Sequence, residues 1–470
     1  MDHLRTSEER RARWYARHIR PRCIPISRHG LAGDSPHPGL SSASSGADGT
    51  TVVGPVPASS LLSTDGAERF RGGAVLRSAL RVDGFAVVTE VLGASECAAA
   101  LDLLWDYLEA ASVAERELDL RRRGSGLEAA KADVPIVLSD AHPPPVRRDD
   151  PASHSSPHFP RFLEGGVLPF YGSGHSTLAW YLRDRPSVQE AFAAAYEVDR
   201  RDLITSLDGM VAWRSGQDHR TDAGWFHLDQ NPRLKPGFEA VQGLVNLLPV
   251  TEETGGNALV AGSHRCFPHH YLKSKRQEDD VEAGRWGGEQ RSVADFYSLR
   301  LDEVASDDWL EVDPNDARLL DPDRIVSCLL GPGDMLMWDS RVVHCSYPAP
   351  QTERGSAGQD CEAPAGLIRA AGLVSMMPAK RASEEVLRAR MGAVDQARTL
   401  THWSNKVAPL GEEREDEIAL ERGRISLMRR IRFQSRCGEQ DDGCRCVLVD
   451  RKGLTKDLIR LVSGNQIISN

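Results

Sequence analysis

The 470-residue chain is 40% hydrophobic and sets 58 basic side chains against 68 acidic ones, a formal charge of -10. That balance excludes bulk attraction to a phosphate backbone, so nucleic acid is not an expected partner. No apolar run approaches the roughly 18 residues of a membrane span, while the length suffices for one large core or two ordinary ones around an enclosed site.

Nine cysteines, an odd number without the dense spacing of a disulfide scaffold, fit a reducing, intracellular compartment. Among them Cys437, Cys444 and Cys446 cluster as C-x6-C-x-C, which reads as reduced thiols because a zinc site needs four tightly paired ligands. The first 33 residues hold eight arginines and three acids, either a basic arm or an organelle-import segment such as a mitochondrial one.

In chain order, residues 1–69 read as an unpacked extension, basic at first and then rich in Gly, Ser and Pro. Folded structure is expected from about Phe70. "ALRVDGFAVVTEVL" suggests a short strand pair broken at Asp83-Gly84, and Ser95 is placed to cap a helix over "ECAAALDLLWDYLEAA". Residues 121–165 suggest a surface excursion, and "PSVQEAFAAAY" a helix opened by Pro186. Between 202 and 380 the character changes. "DLITSLDGMVAW", "EAVQGLVNLLPV", "NALVAGS", "DMLMWDS" and "GLIRAAGLVSMM" are short apolar runs bounded by turn residues. Such strands without intervening helices predict an α+β chain with a mainly β core, of jelly-roll type, flanked by α-helices. A polar insertion, about 268–323, is expected to lie outside the sheet as a flap. "SEEVLRARMGAVDQAR" restores helical spacing behind a Ser cap, and 401–470 reads as a helical extension. It closes on an amphipathic helix without a peroxisomal tripeptide.

The chemistry centres on "GWFHLDQNP". In an extended segment residues i and i+2 share a face, so His227 and Asp229 could hold one ion. A chance H-x-D triplet would look the same. A second histidine would complete a 2-His-1-carboxylate triad with three open positions, and His344 in "GPGDMLMWDSRVVHCSYP" is the candidate, on a distant strand folded back. Arg369 is the single charge in "GLIRAAGLVSMM"; a buried guanidinium needs an anionic partner, and a dicarboxylate would serve.

"GWFHLDQ", "VQGLVNLLPVTEETGGNALVAGSHR", "GPGDMLMWDSRVVHCS" and "LIRAAGLVSMMPAKRAS" together resemble the successive core motifs of the phytanoyl-CoA dioxygenase family, within the iron(II)/2-oxoglutarate-dependent oxygenases. The resemblance spans about 75–400 by order of motifs and is densest over 205–380. It implies a phytanoyl-CoA dioxygenase-like domain over 70–400 whose core, about 202–380, is a double-stranded β-helix (jelly roll). It also implies iron(II) on His227, Asp229 and His344, and 2-oxoglutarate gripped at its distal carboxylate by Arg369. With O2, such an enzyme hydroxylates a small organic substrate and releases succinate and CO2. The carboxylate of Asp229 fills the position a halide would need, favouring hydroxylation over halogenation. The gap from His344 to Arg369 is longer than the family's, which would instead select Arg354; that residue lies in a run of turn composition, whereas Arg369 lies in a strand.

Asn246 in the predicted inner wall is a candidate for contact with co-substrate or substrate, or else a satisfied core amide. Trp213, Trp225 and Phe226 are either pocket lining or core. Gln230 and Asn231 face the substrate or form a turn, and Arg341 either binds an anionic substrate or, the preferred reading, forms a salt bridge. His264 reads as structural, and His175 with Trp180 could close over the site. Two rival readings keep the fold: a binding protein without turnover, and a cupin-like metal-dependent hydrolase or isomerase. The first requires the four site side chains to be misplaced, and a hydrolase has no need of a buried dicarboxylate clamp at Arg369.

Overall fold

A computed structural model of the chain describes residues 55–125, 143–214, 225–251, 254–272, 285–286, 289–290, 293–304, 308–348, 366–410, 425, 428, 432–434, 444–449 and 451–464. The N-terminal basic segment, Arg354 and Cys437 lie outside them. The molecule is a mixed α/β chain with several mostly antiparallel sheets. It divides into two compact units, one of residues 1–89, 220–242 and 249–355, the other of 90–219, 243–248 and 356–470. Among the described residues no helix is long and apolar enough to cross a membrane.

In the first unit, elements begin at Val56, ahead of Phe70. Strand Val56–Pro57 runs parallel to Phe85–Thr89, which pairs antiparallel with Met335–Asp339. "ALRV" is not a strand but the end of helix Gly66–Val82, whose first turn is capped by the Asp65 carboxylate on Ala67 N. Leu76, Ala79 and Leu80 continue one buried helical face through it, and the backbone breaks only at Gly84, φ 86°. The Asp83-Gly84 break is therefore real, but it joins a helix to a strand.

The site-bearing sheet of this unit has five strands in the order Leu310–Glu311, His227–Leu228, His344–Pro348, Gly255–Val260, Ile325–Cys328. All pairings are antiparallel. The expectation that the insertion lies outside the sheet is thus corrected: its strand Leu310–Glu311 sits directly beside the metal-motif strand, Leu310 opposite Leu228 and Glu311 opposite His227. Within the insertion, Asp316 ties separate segments together: its Oδ2 lies 2.5 Å from His270 Nε2 and accepts from Tyr297 OH at 2.8 Å. Tyr297 comes from the insertion helix Val293–Val304. One apolar cluster joins Phe226, Leu228, Leu310, Val312, Tyr297 and Leu301 to Val343 and Cys345.

In the second unit, four strands run antiparallel in the order Val241–Asn246 (its residues from Gly243), Leu367–Leu373, Met210–Arg214, Val167–Leu168. A pair, Leu203–Thr205 with Met376–Pro378, stands apart. Helix Ala94–Ser125 starts one residue before Ser95, so the Ser95 cap is not formed; Glu96 instead accepts from Gly93 N at 2.9 Å. The helix also runs past residue 121, where the excursion was expected. Helix Pro186–Tyr196 starts on its proline, and Ser383 caps Glu384–Gln396 by accepting from Val386 N. The C-terminal stretch contains an antiparallel pair, Arg432–Gln434 with Cys444–Cys446, before helix Lys456–Ser463.

Candidate metal centre

Phe226 and Leu228 are fully buried in the apolar cluster. Because side chains alternate along an extended chain, their burial turns His227 and Asp229 to the opposite face. The same logic acts on the neighbouring strand, where Val343 and Cys345 enter the cluster and His344 does not. Register finishes the arrangement, since His344 is the direct partner of His227 across the ladder. A slip of one residue would drive both imidazoles into hydrocarbon.

Each imidazole is held by its Nδ1. His227 Nδ1 lies 3.0 Å from Trp225 O, and His344 Nδ1 2.9 Å from Val342 O, in each case the carbonyl two residues back. A carbonyl only accepts, so Nδ1 carries the proton and Nε2 keeps its lone pair for a cation. Both Nε2 atoms turn toward the carboxylate of Asp229: His227 Nε2 is 3.7 Å from Oδ1 and His344 Nε2 3.3 Å from Oδ2. Ligand atoms about 2.1 Å from one ion stand about 3 Å apart when at right angles, so these spacings suit a shared cation after small adjustment. His227, Asp229 and His344 offer three ligand atoms all within 4.8 Å of one another and form a group able to hold a metal ion.

Burial, reinforced by the neighbouring His344, pushes the His227 pKa down to about 4, against a smaller opposing pull from Asp229. The imidazole is therefore neutral at pH 7, the form that ligates. Indoles surround the pair: Trp225 stacks on His227 with ring centroids 4.3 Å apart, Trp309 lies 5.8 Å from His227, and Trp338 lies 5.4 Å from His344.

No family model matches the chain. A curated relative, the Ava biosynthesis cluster protein O of Aspergillus versicolor, is 28% identical over 263 residues, covering 55% of this chain and 72% of that one. Among solved structures, the epimerase SnoN in complex with Fe3+, alpha ketoglutarate and nogalamycin RO is 15% identical at a TM-score of 0.33, covering 73% of this chain and 97% of that one. A hypothetical protein from Escherichia coli is 12% identical at a TM-score of 0.46, covering 88% and 85%.

The other candidates fall as follows. Arg369 is buried in strand Leu367–Leu373, opposite Trp213, with its guanidinium 4.3 Å above the indole. Asn246 is buried in the same unit, opposite Ala371, and its Nδ2 donates to Leu248 O at 2.5 Å. Trp213 donates Nε1 to Gly165 O at 2.7 Å, as a core indole does. Gln230 and Asn231 form the turn. Gln230 donates to Lys235 O and Gly237 O, both at 2.6 Å, and Asn231 Oδ1 accepts from Arg233 N at 2.9 Å. Arg341 is a salt-bridge residue, 2.7 Å from Asp339 Oδ2. His264 and His175 have their Nε2 atoms 3.1 Å from Arg81 O and 2.9 Å from Arg398 O.

Sequence reasoning passed over Gln242, which donates from Nε2 to Asp229 Oδ2 at 2.8 Å. The available signal was a polar amide early in the apolar run "VQGLVNLL", which also holds Asn246, much as Arg369 stands out in its own strand. Trp309 and Trp338 were also missed, because an indole at a strand edge gives no periodic signature.

Proposed function

We propose that the chain is an iron(II)- and 2-oxoglutarate-dependent oxygenase that hydroxylates a small organic substrate. The observation that carries this is the convergence of two Nε2 lone pairs and one carboxylate from adjacent strands, with both Nδ1 protons engaged by backbone carbonyls. Two neutral imidazoles and one carboxylate suit a borderline divalent ion such as iron(II) and leave half of an octahedron for other ligands. When bound, iron and 2-oxoglutarate supply the oxidising chemistry, in which loss of CO2 from the keto acid to give succinate is coupled to oxygen transfer from O2.

The chain's own residues do the rest. His227, Asp229 and His344 fix the ion, and the surrounding indoles keep bulk water from it. Arg369, buried in its strand, offers the fork that a distal carboxylate needs. On this reading the antiparallel strands belong to a double-stranded β-helix of the phytanoyl-CoA dioxygenase type. The relative from a biosynthesis cluster accords with a small-molecule substrate.

The test is an anaerobic titration of metal-free protein with iron(II), then 2-oxoglutarate. The expected result is a weak visible charge-transfer band that is absent in Asp229→Ala. Iron binding without the band would favour a metal-dependent hydrolase or isomerase, and no iron binding would favour a protein without turnover.

A further inference from the structure

We infer that Gln242 is the positioning residue of the metal centre, holding the Asp229 carboxylate in its ligating orientation through the Nε2 to Oδ2 hydrogen bond of 2.8 Å. This rests on reading His227, Asp229 and His344 as a metal site.

The three ligands are not equally constrained by their own segments. Both histidines belong to strands and have Nδ1 tied to a carbonyl two residues back. Asp229 follows strand His227–Leu228 and stands outside its ladder, with the most exposed side chain of the three, 20% against 8% for each histidine. A carboxylate at a strand end can rotate about two side-chain bonds, so its aim must be set from outside.

Gln242 is suited to that. It is buried, and it sits in strand Val241–Asn246, whose burial leaves the side chain little freedom. The choice of an amide also matters. A lysine or arginine would orient the carboxylate equally well but would cancel the negative charge that attracts the cation. A hydroxyl from this strand position would fall short. An amide donates and carries no charge, so it orients Asp229 without offsetting the negative charge that would attract a cation.

The experiment measures cobalt(II) affinity by competition with a chelating dye, together with the visible cobalt(II) spectrum. It compares the wild-type chain with Gln242→Met, Gln242→Asn and Asp229→Ala. Methionine keeps the side-chain length without a donor, and asparagine keeps the donor but withdraws it by about 1.5 Å, one carbon–carbon bond. The expected result is a 10–100-fold weaker affinity in both Gln242 variants, with a shifted cobalt(II) spectrum and an unfolding midpoint of the metal-free protein close to wild type. Gln242→Asn alters the core least and serves if Gln242→Met does not fold. Affinity within twofold of wild type and an unchanged spectrum in either folded variant would overturn the role of Gln242 while leaving the metal site standing. Failure of the wild type to bind cobalt(II), or equal binding by Asp229→Ala, would remove the metal site itself and this inference with it.

Discussion

Leu310→Ala separates an insertion that is part of the metal-bearing sheet from one that merely covers it. Leu310 is fully buried, lies opposite Leu228, and packs in the cluster that holds Phe226 and Val343. The substitution removes three carbons. At about 0.8 kcal/mol each, transfer accounts for about 2.4 kcal/mol, and the unfilled space raises the loss to about 3–4 kcal/mol. Because Glu311, the next residue, pairs with His227, loosening this strand should also weaken divalent-metal binding. The control is Leu299→Ala in the same insertion, at a side chain 45% exposed, where the cost should stay within about 0.5 kcal/mol. Urea unfolding of the metal-free proteins, followed by cobalt(II) titration, reads both quantities. Equal stabilities for the two variants would refute the reasoning and return the insertion to the status of a flap.

Two further outcomes are expected. Arg369→Ala should raise the 2-oxoglutarate requirement strongly, since a charge-assisted pair of this kind contributes about 2–4 kcal/mol; an unchanged concentration dependence of the charge-transfer band would move that role to another residue, Arg354 first. Burial pushes the Cys328 thiol up to about 12 from 9. The unfolded chain then releases its proton first, so this group's stability contribution is intact below pH 9 and is lost as pH rises from 9 towards 12. Iodoacetamide at pH 8 should therefore label Cys328 only on unfolding, and rapid labelling of the native protein would contradict its burial.

The triad was legible in the sequence because alternation is a local rule. Phe226 and Leu228 are apolar, His227 and Asp229 are not, and one period-two pattern assigns both pairs to their faces. Val343, His344 and Cys345 repeat it. The insertion misled because its composition is acidic while its contribution to the sheet is two residues long, below any window in which periodicity can be counted. "ALRV" misled for the opposite reason: its β-compatible residues are the end of a 17-residue helix capped at Asp65, and tertiary continuity overrides local propensity. Because the helix starts at Ala94, Ser95 already lies inside the first turn, and the side-chain cap comes instead from Glu96, which reaches back to a different donor, the Gly93 N–H. Gln242 required knowledge of which strand would lie beside Asp229, and no local rule supplies that.

The strand order of the site-bearing sheet also fixes when the metal centre can exist. His227 and Asp229 leave the ribosome well before Leu310, and Leu310 well before His344, yet all three segments are immediate neighbours in the ladder. The chelating set is therefore assembled by long-range closures, His227 and His344 being far apart in the chain, and such closures come late in folding. An ion held by these three residues would stabilise a chain whose central strands are already in register, rather than seed the fold in the manner of a zinc finger. A polypeptide stalled short of His344, or paired one residue out of register, would lack the complete set of His227, Asp229 and His344 that could hold an ion.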